Sequence, residues 1–274
     1  INLINFRNFD NFSSEFSENC NVLFGKNGSG KTNLLEAISL LSKGKGLRKD
    51  KILNIVKKNK ENFLIKSNFA FKNVTYNLIS ETQIMNDNVK KILSVNNDKT
   101  DESLNKIYNL TPFLYFLPET ERLFMSSPST RRNFIDQLIF TYEDSYNKKI
   151  NQYNRYLQER SKILRSFEND EIWLCQLEKN ISKCGLEIYY LREQQVNLIT
   201  QYLNKYLIKY ELPFKINIEL NDNFYTTDLN QEFFERQLKN CRKVDAIIGG
   251  CKIGPHKSDY IFYTNQDFLV SQLS

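Results

Sequence analysis

Cys20 to Leu41, CNVLFGKNGSGKTNLLEAISLL, is the stretch on which the fold class turns. A short apolar run (Val22, Leu23, Phe24) leads into Gly25-Lys26-Asn27-Gly28-Ser29-Gly30-Lys31-Thr32, and a helical pattern continues through Leu34, Leu35, Ile38 and Leu41. Strand, glycine loop and helix in that order are the setting of the P-loop, G-x-x-x-x-G-K-[ST]. A triphosphate is a compact multi-anion, best held by many backbone N–H dipoles converging on it. Gly25, Gly28 and Gly30 let the loop curl without Cβ clashes. Lys31 opens the helix with its ammonium toward the β/γ oxygens, the helix N-terminus adds partial positive charge, and the Thr32 hydroxyl is placed for Mg²⁺. The spacing predicts ATP with Mg²⁺ as cofactors, held by residues 25–32 and the adjoining Asn33.

A chain of 274 residues, 41% hydrophobic, buries a real core, and its length suits one large domain or two modest ones. No run approaches the roughly eighteen unbroken apolar residues of a membrane helix, and no basic-then-apolar leader is present, so a cytoplasmic protein is expected. Cys20, Cys175, Cys184, Cys241 and Cys251 include no C-x-x-C pair and are accompanied by one His, which favours free thiols over zinc. The chain begins at Ile1, already inside an alternating strand pattern, which suggests that its natural start lies upstream.

The net charge of +6 is unevenly spread. From Lys43 to Lys60, eight basic residues (Lys43, Lys45, Arg48, Lys49, Lys51, Lys57, Lys58, Lys60) face one acid, Asp50. Such a segment suits a polyanion, and nucleic acid is the obvious one. The competing reading is a solvated lysine-rich surface in an Asn/Lys/Ile-rich chain.

Alternation in Ile1–Phe6 and around Phe12 and Phe16 predicts two strands before the P-loop strand. Phe63–Phe71, Thr75–Thr82 and Lys90–Val95, separated by Asn-rich turns, read as an antiparallel meander, the layout of ABC-type ATPases. Ser127-Pro128 is a helix start. From there apolar residues recur through Phe134, Tyr142, Tyr153, Leu164 and Phe167. After Asn169-Asp170 they resume at Trp173 and run through Leu177, Ile188, Leu198, Tyr202 and Tyr206. This predicts two helices of some forty residues in an antiparallel hairpin, its aromatic stripe a packing seam rather than a base-stacking surface. Strand alternation returns at Phe214–Leu220, followed by a short helix at Gln231–Leu238 and a last strand at Tyr260–Thr264.

Several separated stretches together resemble the RecF family, SMC-like ABC ATPases of bacterial recombinational DNA repair. They are Asn5-Phe6-Arg7-Asn8-Phe9, the P-loop with Asn27 and Asn33, Gly46-Leu47-Arg48, and Phe116-Leu117-Pro118-Glu119. Two more discriminate best: Ser127-Pro128-Ser129-Thr130-Arg131-Arg132-Asn133-Phe134-Ile135-Asp136 and Gly254-Pro255-His256-Lys257-Ser258-Asp259. The resemblance implies an α/β fold, a P-loop ABC/SMC-like ATPase lobe with an antiparallel β subdomain and an inserted helical hairpin. The divisions are 1–125 for the lobe, 126–210 for the hairpin and 211–274 for a return to the ATPase core. It implies that Arg7 reaches the nucleotide phosphates and that Glu119 stands in the Q-loop with Thr120 where the family has Asp; the charge of the basic segment, for its part, makes Lys43, Lys45, Arg48, Lys49, Lys51, Lys57 and Lys58 the candidates to meet DNA. His256 reads as structural, with no carboxylate or cysteine partner legible nearby.

A signature loop and a Walker B strand ending in Asp-Glu are expected of such an ATPase, and no acid pair follows an apolar run here. Gln272-Leu273-Ser274 resembles the first letters of a signature loop, so the chain reads as cut before its second half-site, with no catalytic residue of its own. The implied activity is weak DNA-dependent ATP hydrolysis in the full-length family. Its setting is ATP-dependent homodimers on duplex or gapped DNA, at single-strand/duplex junctions, helping to load recombinase with RecR and RecO as partners in the cytoplasm, at the nucleoid. A non-catalytic DNA-binding module is the alternative, and a transporter-type ABC subunit a weaker one.

Overall fold

A computed structural model of the chain describes residues 1–42, 44, 46–85, 88–111, 113–117, 123–143, 145–166, 170–266 and 269–270. They belong to two compact units, Ile1–Tyr115 and Phe116–Ser274.

The first unit is built on a five-stranded sheet of β1 (Asn2–Phe6), β2 (Phe9–Ser13), β3 (Leu64–Phe71), β4 (Val74–Met85) and β5 (Asn88–Val95), in the order β2-β1-β3-β4-β5. Every neighbouring pair is antiparallel. Two-residue turns with both φ angles positive, Lys72-Asn73 after β3 and Asn96-Asn97 after β5, match the right-handed twist of the strands they join, which is why asparagine recurs there. The expected turn at Asn86-Asp87 lies outside the described residues. One cross-strand row, Leu3, Ile65, Ser80 and Leu93, points inward, fixing the register of four strands at once.

Onto that face packs α1 (Lys31–Ser39), burying Leu34 and Ala37 with Leu40 and Leu41 beyond its end. The meander is as the alternation predicts. Two helices are additional: α2 (Ile52–Ile55), a single turn, and α3 (Asp101–Leu110), which Thr100 caps and whose Ile107 is fully buried. The P-loop strand is a correction. Residues 20–25 form no strand, and Val22 and Phe24 stand 77% and 92% exposed. An apolar run becomes a strand only when a neighbouring strand pairs with its N–H and C=O groups, and among the described residues none pairs with residues 20–25.

The second unit joins α4 (Pro128–Phe140), α5 (Tyr146–Arg165), α6 (Glu171–Lys209) and α7 (Gln231–Ile248) to a two-stranded antiparallel ribbon, β6 (Ile216–Asn221) with β7 (Asp259–Thr264). Its core gathers Ile135, Tyr153, Ile188, Phe234 and Tyr260 from all these helices and β7. Where the sequence reading divides this stretch at 210, the structure has one core on both sides.

The hairpin is also uneven. Its expected first helix is two, α4 and α5, because the Glu143 carboxylate accepts from both the backbone N–H and the hydroxyl of Ser145, a local bond that competes with helix continuation. Twenty residues of α5 then face thirty-nine of α6. The ion pairs Arg160–Glu178 and Lys149–Glu187 set the antiparallel register, so α5 begins beside α6 near residue 190 and leaves the remainder of α6 without it. The packing seam is real up to that point and ends there. Helix α7, at eighteen residues, is longer than the stretch expected, and stops at Gly249 with φ 70°, where glycine meets no Cβ penalty.

Candidate functional site

The glycine loop lies open to solvent between β2 and α1. Lys31 folds its ammonium back over it, donating to the carbonyls of Gly25 at 2.8 Å and Lys26 at 2.9 Å. Gly30 precedes the helix in the left-handed region, φ 103°, and a Cβ there would stand 2.6 Å from the Phe9 ring. No side chain caps the N-terminus of α1, so its leading N–H groups face outward over the loop. Thr32 is exposed beside them. This is an anion cradle by construction: uncapped helix dipole, glycine backbone and one ammonium.

Behind the cradle sits a carboxylate that sequence reading passed over. Glu36, on α1, is 1% exposed and accepts from two arginines. Arg7, in the β1–β2 turn at φ 52°, grips it with Nε at 2.9 Å and Nη2 at 2.7 Å. Arg7 also donates to Asp50 at 3.0 Å and to the Asn54 carbonyl at 2.7 Å, so four of its five N–H donors are engaged. The bonds to Glu36 raise its pKa further, against a smaller opposing effect of burial. Arg48 joins from the other side, its Nη1 2.8 Å from both Glu36 and Asn33, while Asn33 donates to Asn8. The signal was present in the sequence: an acid within the apolar stripe Leu34, Ala37, Ile38 must be either paired or misplaced.

The sequence-predicted residues therefore separate. Residues 25–33 converge on one loop and helix start. Arg7 and Arg48 are brought together by Glu36 on the same helix. Of the basic segment, Lys57 pairs with Asp10 at 2.5 Å, whereas Lys49, Lys51 and Lys58 are exposed and, among the described residues, enter no ion pair. Lys43, Lys45, Pro118, Glu119, Thr120 and the 272–274 segment lie outside the described residues. Lys91, which the sequence did not single out, donates to the carbonyls of Leu40, Ser42 and Gly44, tying the end of α1 to β5, and burial pulls its pKa down to about 8. Among the described residues no cluster of three or more His, Cys, Asp and Glu is placed to hold a metal, and no helix is long and apolar enough to cross a membrane.

In the second unit the two most discriminating stretches bind each other. Arg131 forms a two-pronged pair with Asp259 at 2.7 Å, Arg132 donates to the Ser258 carbonyl, and Asp136 takes both prongs of Arg192, which also reaches the Pro255 carbonyl. His256 has a structural partner after all: its Nε2–H donates to the Cys251 carbonyl and its Nδ1 accepts from the Tyr153 hydroxyl, each at 2.9 Å. Gly254 makes that possible, since a Cβ there would lie 2.4 Å from the Tyr153 oxygen.

Burial draws the His256 pKa down to about 4, against about 6.5 in an unfolded chain. Between those values the unfolded state carries the extra proton, so the stability tied to neutral His256 is complete above pH 6.5 and is lost as pH falls toward 4. At most about 3 kcal/mol is at stake. Urea midpoints are expected to fall across that window, and His256→Gln to flatten the fall; an unchanged slope in the variant would mean that other groups carry it.

Comparison with known proteins agrees with this fold. A family profile described as "AAA domain" matches residues 1–211, and the chain is a P-loop ATPase domain of that class. It is 30% identical over 266 residues to the DNA replication and repair protein RecF of Rickettsia typhi, covering 95% of this chain and 72% of that one. The RecF of Rickettsia prowazekii is likewise 30% identical, with the same coverage. Among solved structures, the recombination mediator protein RecF-ATP in the RecFOR pathway superposes with a TM-score of 0.84 at 25% identity, covering all of this chain and 74% of that one. A second RecF structure, with ATPrS, gives 0.85 at 24% identity over 96% of this chain and 72% of its own, and agrees on the fold. The chain belongs to the RecF family of DNA replication and repair proteins.

Proposed function

We propose that this chain is an ATP-binding, DNA-binding protein of replication-linked recombinational repair. The observation that carries the reading is the cradle itself, an uncapped α1 N-terminus under a glycine loop with the Lys31 ammonium folded over it. Phosphate oxygens compete for that ammonium with the Gly25 and Lys26 carbonyls, which are neutral acceptors and the weaker ones. Backbone N–H groups of residues 28–33 would hold the β- and γ-phosphates, and the Thr32 hydroxyl would supply a protein ligand to Mg²⁺. When bound, ATP with Mg²⁺ supplies a phosphoryl group and the charge that orders the loop.

Glu36 keeps Arg7 and Arg48 on the loop side of α1. Arg7 completes a phosphate contact by giving up Asp50, the longest of its bonds, rather than Glu36. ATP-dependent pairing of two copies on duplex or gapped DNA, with RecR and RecO as partners in loading recombinase, is the assembly that this reading assigns to the family's full length, together with slow DNA-dependent hydrolysis.

DNA is assigned to the basic segment through Lys49, Lys51 and Lys58, which are exposed and, among the described residues, in no ion pair. Changing these three to Gln is expected to weaken duplex binding equally across sequences and to flatten the slope of log affinity against log salt by about three units. Fluorescence anisotropy of a labelled duplex over a salt series, with and without ATP and Mg²⁺, measures both. An unchanged slope removes the segment from the DNA interface; binding indifferent to ATP leaves a DNA-binding module with no nucleotide control.

A further inference from the structure

The C-terminal turns of α6 and Tyr210, which follows its last residue, present exposed aromatic rings. Tyr202, Tyr206 and Tyr210 are 61%, 57% and 65% exposed, four residues apart and so about 6 Å apart along the helix. The opposite side of the same turns is anchored: Val196 and Leu207 are buried, and the Asn204 amide exchanges hydrogen bonds with both backbone groups of Ile216 on β6. The rings are therefore carried on a fixed rod. The Tyr206 and Tyr210 planes lie within 8° of parallel with centroids 6.4 Å apart, and the Lys209 ammonium sits 5.6 Å above the Tyr210 ring. Over residues 198–215, Lys205, Lys209 and Lys215 face a single acid, Glu211.

We propose that this face, Tyr202, Tyr206 and Tyr210 interleaved with Lys205 and Lys209, is a base-stacking site for single-stranded nucleic acid. Each ring offers a π-face to one base regardless of sequence, and the ring spacing along the helix resembles that between nucleotides of a stretched strand. The two lysines alternate with the rings, where the strand's phosphates run. A second copy of the chain suits the face less well, because docking it there sets Lys205 and Lys209 against their own like charges. The choice of nucleic acid rests on the repair reading above; the exposed rings do not.

The test is anisotropy of a labelled oligo-dT and, separately, of a blunt duplex, with wild type, Tyr202→Ala/Tyr206→Ala/Tyr210→Ala and the corresponding triple Phe variant. Circular dichroism checks that the exposed helix is intact. The alanine variant is expected to lose oligo-dT affinity by about tenfold or more, with salt slope, duplex affinity and ATP affinity unchanged. The Phe variant, keeping the π-faces, is expected to stay within about twofold of wild type, since stacking needs the ring and not the hydroxyl. Oligo-dT binding absent in wild type, or undiminished in the alanine variant, overturns the proposal. So does concentration-dependent self-association that the alanine variant abolishes while its oligo-dT binding persists. Absence of duplex binding in wild type, together with oligo-dT binding that the alanine variant loses, would count against the basic segment and support the stacking face.

Discussion

Lys31→Ala is expected to lower ATP affinity by about a hundredfold or more while leaving the fold intact. The side chain is the ammonium folded over the glycine loop, and a charge-assisted hydrogen bond to phosphate contributes about 1.5–3 kcal/mol, so losing two reaches that scale. Its structural role is small by comparison. It holds two carbonyls of a solvent-exposed loop, which water satisfies in its absence. Titration with a fluorescent ATP analogue reads the affinity and a thermal melt reads the fold. Undiminished affinity in the variant would show that the loop is not a working P-loop. Gly30→Ala is a companion with a different cause, since its Cβ cannot fit beside Phe9 and the φ of 103° disfavours it; there, affinity and melting temperature are expected to fall together.

The largest effect on stability is expected at Arg160→Ala. Arg160 is 1% exposed on α5 and donates to Glu178 on α6, to Asp245 on α7 and to the Leu238 carbonyl, all within 2.9 Å. Three helices are joined through one guanidinium. Removing it leaves Asp245, fully buried, with a carboxylate held, among the described residues, only by the Lys252 N–H, while Glu178 keeps Arg242. An uncompensated buried charge typically costs about 3–5 kcal/mol. The double change Arg160→Ala/Asp245→Ala is expected to cost clearly less than the sum of its two singles, because the second removes the stranded charge. Urea midpoints of the four proteins measure this. Strict additivity would mean that the arginine acts through packing and not through its charge.

Local pattern was enough for the meander, because alternation and asparagine turns are carried within ten residues of each other. It was enough for the P-loop, whose chemistry lies in eight consecutive residues. The strand before the loop failed for the complementary reason: Val22-Leu23-Phe24 has strand character, but a strand also needs a neighbour that pairs with it, and none of the described strands does. The aromatic stripe of α6 has a single period from Trp173 to Tyr206, yet only the part facing α5 is a seam, and the length of α5 was decided by a Glu143–Ser145 turn that periodicity does not register. Of the site, Lys31 was legible from its motif. Glu36 was hidden in a helical stripe, and its two arginines are 29 and 12 residues distant in sequence. The pairing of Arg131 with Asp259 spans 128 residues, beyond any reading of single stretches.

The polar bonds along α6 have a mechanical consequence. The helix is about 58 Å long at 1.5 Å per residue. It is fastened at Glu178 to Arg160 and Arg242, at Arg192 to Asp136 and the Pro255 carbonyl, and at Asn204 to β6. These fastenings are spaced roughly 21 and 18 Å apart along its axis. A rod pinned once pivots, whereas one pinned at three points neither pivots nor flexes freely. Displacement at the hairpin tip therefore travels along α6 as a push or pull, reaching β6 and the tyrosine face together, and α6 serves as a strut and not as a hinge.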